Sequence, residues 1–111
     1  SGLIARNANF ENSTLTHTEM SRTDARGSNF RGVNFKDTNA YSTRFDGSDL
    51  ENANFENVIL SGATFGKYNG VWANVKGANF EGALLSSSDA KELCKNPTVD
   101  LEGEMNIGGC S

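Results

Sequence analysis

The apolar residues of this chain recur at every fifth position. Counted in fives from Ala5 to Leu85, the third position of the phrase is apolar at sixteen of seventeen places, and all seven phenylalanines lie on it. The first position is small at most places, and the other three are mostly polar or glycine. A helix repeats every 3.6 residues and a strand every two, so neither keeps such a row on one side. The predicted core is built on Phe10, Phe30, Phe35, Phe45, Phe55, Phe65 and Phe80.

The five-residue phrase predicts a short extended step followed by a turn. Its two inward positions are two residues apart, which is the spacing of one face of a strand. The Gly and Asn residues in the remainder tolerate positive φ and favour a turn. A strand step and a turn, repeated, wind the chain into a coil whose turns hydrogen-bond to each other at about 4.8 Å.

The letters of the phrase carry a second signal. It reads A-(D/N)-(L/F)-x-x, as in ANFEN at 53–57 and ANFEG at 78–82. In this the chain resembles the pentapeptide-repeat family. The resemblance implies an all-β fold, a right-handed quadrilateral β-helix of about four coils with residues twenty apart as neighbours. We expect residues 1–87 to form the pentapeptide-repeat β-helix and residues 88–111 to form a C-terminal capping helix and tail.

The stretch KYNGVW at 67–72 departs from the phrase. It puts Tyr68 at a position that is usually small, and Gly70 at one that is usually large and apolar. Since no residue is gained or lost against the count of five, the sequence predicts that both face inward. The tyrosine would fill the volume that the glycine leaves, and cores tolerate swaps that conserve volume.

A short helix is predicted where the repeat ends. The sequence there is SDAKELCKNP, in which Asp89 and Glu92 have the spacing of a capping box and the proline stops the helix. The expected helix, around 89–95, would lay Ala90 and Leu93 over the last coil.

The two cysteines, Cys94 and Cys110, both lie in the polar C-terminal part. In so small a chain they favour one disulfide, which would tie the tail, over a metal site, and a disulfide implies an oxidising compartment. Two free thiols in a reducing cytoplasm are the alternative. The tail, LCKNPTVDLEGEMNIGGC, resembles the C-terminal extension of pentapeptide-repeat proteins of the chloroplast thylakoid lumen and their cyanobacterial relatives. That resemblance implies a protein of the thylakoid lumen.

Charge and composition argue against several classes of function. The formal net charge of −4 is concentrated in the tail, and the nearly neutral body has no basic stripe for phosphates, so no nucleic acid is an expected partner. No apolar run approaches about 18 residues, so no membrane span is predicted. The lone histidine, His17, is an outward residue without a catalytic partner, and no His or Cys spacing matches a metal site. We therefore expect no catalytic residue, no metal and no cofactor.

Large apolar residues fall at a few outward positions that are polar elsewhere. Tyr41, Ile59 and Trp72 form a candidate interaction surface, because exposed aromatic side chains often anchor interfaces. The alternative for Trp72 is packing beneath the C-terminal helix or tail. Leu84, a fourth such residue, is expected to be covered by the cap.

These observations favour a non-enzymatic interaction, scaffold or regulatory module that binds an unknown protein partner. The first alternative is a redox-responsive regulator switched by a Cys94–Cys110 disulfide. The second, a DNA-mimicking topoisomerase inhibitor like some bacterial members of the family, fits poorly with a short and nearly neutral body. Leu3 and Ile4, near the start, are either a remnant of a cap or a face for a second molecule. A monomer and a dimer through the N-terminal coil both remain open.

Overall fold

The structure is a computed structural model that describes residues 2–99, and it winds the chain into a coil with four faces. Each face is a stack of short parallel bridges, one from every coil, and the bridging residue is always the second of its phrase. In chain order, face 1 contains Ile4, Asp24, Arg44 and Thr64; face 2 contains Asn9, Asn29, Asp49 and Asn74; face 3 contains Thr14, Asn34, Asn54 and Asn79; and face 4 contains Glu19, Asn39, Ile59 and Leu84. This is the four-sided coil that the family resemblance implies.

Backbone hydrogen bonds join each coil to the next. The amide of a second-position residue donates to a first-position carbonyl in the preceding coil, as Asp24 does to Leu3 at 2.8 Å. The amide of a third-position residue donates to the following coil, as Ala5 does to Asp24 at 2.7 Å. Bonds that alternate between two neighbours in this way are typical of parallel strands. Each coil is therefore held mainly by the coils on either side of it.

The fifth position of the phrase makes the corners of the coil. Its φ lies between 55° and 75° at successive corners from Asn7 to Gly62. The next amide then donates back to the third-position carbonyl, as Ser13 does to Phe10 at 2.9 Å. A turn with positive φ at its third residue favours Gly and Asn. This requirement explains why those two residue types recur among the polar positions of the repeat.

Third-position side chains fill the interior. Six of the seven phenylalanines are buried, and Phe10 in the first coil is partly buried. Rings one coil apart are stacked, as Phe35 and Phe55 are, with centroids 4.9 Å apart and planes 7° from parallel. Rings on neighbouring faces meet edge to face, as Phe45 and Phe55 do with 77° between their planes. These stacked and edge-to-face contacts are the ones that aromatic rings prefer.

From Ser28 to Ser48, the Ser and Thr residues at the first position are buried with their hydroxyls paired. The hydroxyl of Ser48 donates to the carbonyl of Ala25 at 2.6 Å, and that of Thr43 donates to Met20 at 2.7 Å. Each acceptor lies 23 residues earlier in the chain. Burying such a hydroxyl without a partner costs about 1–3 kcal/mol. The paired carbonyl therefore allows Ser and Thr to occupy a site that also accepts Ala and Val.

One segment leaves the coil as a β-hairpin. Its strands are β1 (Lys67–Tyr68) and β2 (Val71–Trp72), which pair antiparallel. The turn is Asn69–Gly70, with φ of 52° and 78°. Positive φ at both residues is what a type I′ turn requires, and Asn-Gly is a preferred sequence for it. At the root, the amide of Ala73 donates to the carbonyl of Gly66 at 2.9 Å, so the chain re-enters the coil where it left.

The prediction that Tyr68 and Gly70 face inward is wrong. Gly70 is exposed at the hairpin tip, with no atom within 4 Å of the place a Cβ would occupy. Tyr68 is half-buried on the outside of the coil. The physical reason is that a hairpin closes its own backbone hydrogen bonds, so the segment does not need a place in the ladder.

The hairpin also corrects the expectation that residues twenty apart are neighbours, which fails across this segment. Bridge partners are 20 residues apart before the insertion but 25 apart across it, as Asp49 and Asn74 are. The core follows the same shift, since Phe55 stacks on Phe80 with centroids 5.1 Å apart. A spacing of twenty would have put Val75 there.

The helix α1 spans Ser87–Leu93, slightly earlier than predicted. Its N-cap is Ser86, whose hydroxyl accepts from the amide of Asp89 at 3.1 Å while the Asp89 carboxylate accepts from the Ser86 amide at 3.3 Å. This is a capping box, but it starts at Ser86 and not at the predicted Asp89. Ala90 and Leu93 are buried, and Leu93 joins the hydrophobic core.

The chain after α1 closes this end of the coil. Asn96 is buried, and its Nδ2 donates to the carbonyls of Phe65 at 2.9 Å and Ala73 at 2.8 Å. The Thr98 hydroxyl accepts from the amide of Val75 at 2.9 Å. The bonds to Ala73 and Val75 satisfy backbone groups that a further coil would otherwise pair, and the bond to Phe65 satisfies a carbonyl that a regular corner would pair. In the described part of the chain, no helix has the length and apolar character needed to cross a bilayer.

Candidate functional site

An apolar pair interrupts the polar outer surface on face 4. Ile59 and Leu84 are bridge partners there, so their side chains stand next to each other on adjacent coils. Leu84 is 58% exposed, and the prediction that the C-terminal cap covers it is therefore wrong. The reason is positional, because a second-position side chain points outward from its face, whereas α1 packs Leu93 against the core. The two earlier residues of this face are polar, with Asn39 donating to Glu19 at 3.1 Å.

The repeat predicts that Tyr41 lies beside this pair. A fourth-position side chain contacts the second-position side chain 18 residues later, as Arg31 contacts Asp49 at 3.2 Å. Tyr41, which is 42% exposed, stands in the same relation to Ile59, which is half-buried. We name Tyr41, Ile59 and Leu84 the face 4 patch.

Polar and charged groups surround the face 4 patch. The guanidinium carbon of Arg22 lies 5.7 Å from the centroid of the Tyr41 ring, within the range of a cation–π contact. The Tyr41 amide donates to Asn39 at 3.1 Å, so the backbone beneath the ring is tied to face 4. An apolar centre with a polar rim is the usual anatomy of a protein interface.

Trp72 lies apart from the face 4 patch. It belongs to β2 of the hairpin, which leaves the coil at the corner between faces 1 and 2. Its ring is half-buried, with the Lys67 ammonium 5.3 Å from the ring centroid. Of the three predicted surface residues, Ile59 lies on face 4 and Tyr41 follows that face by the repeat, whereas Trp72 lies on the hairpin between faces 1 and 2.

A groove of about 530 Å³ lies between the hairpin and α1. Trp72 and Leu93 contribute its apolar wall, and the two lysines at its rim are Lys67 and Lys95. Its volume is that of a small-molecule site. Trp72 thus lines the same groove as α1. The alternative given for this residue was packing beneath the C-terminal helix or tail.

The carboxylates that line the groove are engaged with nearby groups of the same chain. Asp46 accepts from the amide of Gly66 at 3.0 Å and from the hydroxyl of Thr64. Asp89 accepts from the amide of Gly62 at 3.0 Å, and this hydrogen bond is the main cause of its lowered pKa. Through these hydrogen bonds Asp46 anchors the hairpin root and Asp89 anchors α1.

Tyr68 fastens the hairpin to the outside of the coil. A methyl group at Gly47 would lie 2.7 Å from the Tyr68 Cβ, and one at Gly27 would lie 3.2 Å from the ring. The guanidinium carbon of Arg26 is 4.9 Å from the ring centroid. Arg26 also donates from Nε to Asp24 at 2.8 Å, and its side-chain hydrogen bonds lower the pKa of Asp24 to about 2. The corner glycines leave the space that the ring occupies.

Residues capable of acid–base or metal chemistry are dispersed. His17 is exposed, with its Nε2 3.8 Å from the Asp37 carboxylate. No group of three or more His, Cys, Asp or Glu that could hold a metal occurs in the described part of the chain. Cys94 is the C-cap of α1, and its amide donates to Ala90 at 2.9 Å. Cys110 lies outside the described residues, so the Cys94–Cys110 disulfide stays a prediction.

The sequence analysis missed Asn96, which fastens the root of the hairpin to the segment after α1. Its only local signal is its place before a proline, and Asn-Pro is a general turn signal. The analysis also missed the turn signal Asn69–Gly70, which was present in the sequence between two pairs of strand-forming residues.

A family model described as pentapeptide repeats matches residues 1–32 and 28–66, with eight copies, which is more than half of the chain. No curated protein matches the sequence significantly.

Several solved structures are similar. The pentapeptide repeat protein Rfr23 from the cyanobacterium Cyanothece 51142 is 26% identical over 70% of this chain and 46% of its own, with a TM-score of 0.51. The pentapeptide repeat protein alr5209 from Nostoc PCC 7120 is 25% identical over 75% of this chain and 60% of its own, with a TM-score of 0.54. This chain thus spans about half the length of these two proteins. A pentapeptide repeat protein from the Arabidopsis thaliana thylakoid lumen is 20% identical over 94% of this chain and 83% of its own, with a TM-score of 0.38.

Proposed function

We propose that this chain, which belongs to the pentapeptide-repeat family, is a non-enzymatic interaction module that binds a protein partner through the face 4 patch. The observation that carries the proposal is the pairing of Ile59 with the exposed Leu84 on a face whose two earlier outward residues are polar, and the repeat places Tyr41 beside them. Apolar side chains held together on a rigid face lose little entropy when a partner covers them.

The rest of the fold supports a scaffold and not a reactive site. Stacked phenylalanines fill the coil, and the groove carboxylates are engaged in hydrogen bonds within the chain. Several charges on the outer faces are paired with opposite charges, as Arg31 is with Glu51 at 2.9 Å. Such alternation offers no extended acidic surface, so we do not propose DNA mimicry.

A pull-down with matched variants tests the proposal. The bait is the whole chain, and the extract is thylakoid lumen, with stroma run in parallel. Ile59→Asn combined with Leu84→Asn removes the patch, and Val71→Asn is the control, because Val71 on the hairpin is 58% exposed, as Leu84 is. We expect the same partner with wild type and Val71→Asn, and at least a tenfold loss with the double variant, which corresponds to about 1.4 kcal/mol. Equal recovery by all three proteins would show that the patch is not the interface.

The proposed setting is the chloroplast thylakoid lumen. Its support is the likeness of the tail sequence to lumenal members of the family and the expectation of a disulfide. We also propose the division into a β-helix over 1–87 and a cap and tail over 88–111, with α1 starting at Ser87. A partner recovered from stroma and not from lumen would contradict this location.

A redox-responsive regulator is the second candidate. The observation that favours it is the position of Cys94 at the C-cap of α1, so a bond to Cys110 would act on the helix that closes the coil. The reduction potential of the predicted Cys94–Cys110 disulfide distinguishes a structural bridge from a regulatory switch. A value below about −300 mV marks a structural bridge, and a value near that of a compartment's thiol pool marks a switch.

A further inference from the structure

We propose that Asn69 is a site of spontaneous chemical modification, where the side-chain amide is lost and the product isoaspartate releases the hairpin from the coil. Asn69–Gly70 is the one Asn-Gly pair in the sequence. It forms the turn between β1 and β2, and both of its residues are exposed. The inference concerns the hairpin and is independent of the face 4 patch.

The reaction needs only the chain and water. The backbone nitrogen of Gly70 attacks the side-chain carbonyl carbon of Asn69 and forms a C–N bond, and ammonia leaves with the side-chain nitrogen and the proton of the Gly70 amide. Water then opens the succinimide ring that remains. Cleavage of the new C–N bond gives aspartate. Cleavage of the original peptide C–N bond gives isoaspartate, in which the main chain runs through the former side-chain carbon.

The Gly70 nitrogen is accessible for this attack. In the described structure its amide donates to no protein group, and no atom beyond its chain neighbours lies within 4 Å of the place that a Cβ would occupy. Glycine has no side chain to shield the nitrogen, and its backbone moves more freely than that of other residues. A nucleophile and a carbonyl in one molecule react fastest where nothing prevents their approach.

Hydrogen bonds of the coil protect asparagines elsewhere. On a face, the amide after an asparagine donates to the next coil, as Phe55 does to Asn79 at 2.7 Å. At a corner, the amide after an asparagine donates back within the turn, as Ser13 does to Phe10 at 2.9 Å. Such a nitrogen has to leave its hydrogen bond before it can attack, and the side chain of its own residue shields it.

The corner Asp46–Gly47 shows that the dipeptide alone does not make the site. The same ring could close there, but the Gly47 amide donates to the carbonyl of Gly66 at 3.1 Å. The Asp46 carboxylate accepts from the amide of Gly66 at 3.0 Å. Both reacting groups are therefore held in place, whereas the Asn69–Gly70 turn has neither restraint.

The hairpin can open without unfolding the coil. Ring closure fixes the Asn69 backbone in the geometry of the succinimide, so the turn must open first. Each strand has two residues, and a two-stranded ribbon of this size is marginally stable by itself. The root is closed separately by the hydrogen bond from Ala73 to Gly66 at 2.9 Å. Segments with few buried contacts open at low cost in free energy.

Isoaspartate releases the hairpin because it adds one methylene group to the main chain of the loop. The pairing of Lys67 with Trp72 and of Tyr68 with Val71 depends on a two-residue loop. When this pairing is lost, Tyr68 leaves its contact with Gly47, and Trp72 leaves the wall of the groove beside α1. Aspartate leaves the main chain unchanged, and Asp-Gly is also a preferred sequence for a type I′ turn.

Ageing of the whole chain in mildly alkaline buffer, followed by tryptic digestion and mass spectrometry with electron-transfer fragmentation, tests the site. Cleavage at the flanking lysines yields one peptide, YNGVWANVK at 68–76, which contains both Asn69 and Asn74. Asn74 is the internal control, because the amide of Val75 donates to the Thr98 hydroxyl at 2.9 Å. We expect Asn69 to convert at least about tenfold faster than Asn74 in the folded chain.

The same digest after ageing in urea separates the contribution of the fold from that of the sequence. Unfolding frees the Val75 amide, so the ratio of the two conversion rates should be smaller in urea than in the folded chain. Equal rates for Asn69 and Asn74 in the folded chain, or a ratio that unfolding leaves unchanged, would overturn the proposal.

Two variants test the chemistry. Asn69→Gln keeps a side-chain amide but requires a larger ring, and Gly70→Ala adds a methyl group beside the attacking nitrogen where it meets no other atom. Conversion at position 69 should be at least about tenfold slower in each variant. Conversion at the wild-type rate in both would show that the Gly70 nitrogen is not the nucleophile.

The emission of the single tryptophan tests the consequence. The isoaspartate form, separated from aged wild type by chromatography, should emit at longer wavelength than the fresh protein, in which Trp72 is half-buried. Asn69→Asp is the matched control and should emit as fresh wild type does. Circular dichroism should show an intact coil in both. An isoaspartate form that emits as fresh protein does, or one that has lost the coil, would contradict a release confined to the hairpin.

Discussion

The packing of Tyr68 against Gly47 predicts that a single added methyl group will destabilise the fold. Gly47→Ala adds that group at a corner with φ of 69°, only 2.7 Å from the Tyr68 Cβ. The nearest backbone atoms of the hairpin are 3.2 and 3.3 Å away, so a side-chain rotation cannot remove the clash. Gly32→Ala is the matched control, because its φ is 65° but its closest neighbour is the flexible end of Asn12.

The structure separates two contributions to the cost. An L-residue in the left-handed region costs about 1 kcal/mol, and both variants lose this amount. Gly47→Ala must also displace Tyr68 from the coil, losing a cation–π contact with Arg26 worth about 0.5–1 kcal/mol and part of the apolar burial of the ring. We expect a loss of about 1 kcal/mol for Gly32→Ala and about 2–3 kcal/mol for Gly47→Ala.

Urea unfolding followed by circular dichroism measures both losses, and tryptophan emission reports on the hairpin. The chain has a single tryptophan, and Trp72 lies in β2. Emission in the folded state should shift to the red for Gly47→Ala, because the hairpin lifts toward solvent, and should not change for Gly32→Ala. Equal losses of stability with unchanged emission in both variants would refute the packing that we describe.

Two further predictions concern the N-cap of α1 and the ion pair between Asp24 and Arg26. Ser86→Ala breaks the capping box of α1 and should lower the free energy of unfolding by about 1 kcal/mol, measured by thermal melting, with Ser87→Ala as a nearly neutral control. Asp24, whose pKa is lowered to about 2 mainly by its hydrogen bonds from Arg26, adds stability that is present above its ordinary pKa of 3.8 and lost as pH falls toward 2. This stability should be about 1 kcal/mol after solvent screening, and urea unfolding at pH 6 and pH 2.5 should show a smaller difference for Arg26→Gln than for wild type.

Much of the coil could be predicted from the sequence because its interactions repeat. The small and apolar positions set which residues face inward, and the Asn and Gly residues set where the corners fall. The first three coils therefore place Phe10, Phe30, Phe35 and Phe45 as the five-residue count predicts. A local rule that holds in every phrase leaves little for tertiary contacts to decide.

The hairpin escaped prediction because its length hides it. It adds five residues to one coil, so the count of five continues unbroken beyond it. The Asn69–Gly70 turn was visible, but the periodic pattern was given more weight than the turn signal. The contiguity of Ile59 and Leu84 was equally hidden, because it depends on a spacing of 25 that only the hairpin creates.

The root of the hairpin has a consequence for how this fold varies in length. Gly66 and Ala73 are joined by one hydrogen bond, so the rod continues as though a single corner residue stood between them. We therefore expect the phase of the coil not to depend on how many residues the loop at this corner carries. Longer loops or whole binding elements could be grafted at this corner without changing the phase of the coils on either side. The coils keep their regular spacing on both sides of this corner, so the corner is a site where the fold can accept an inserted binding element.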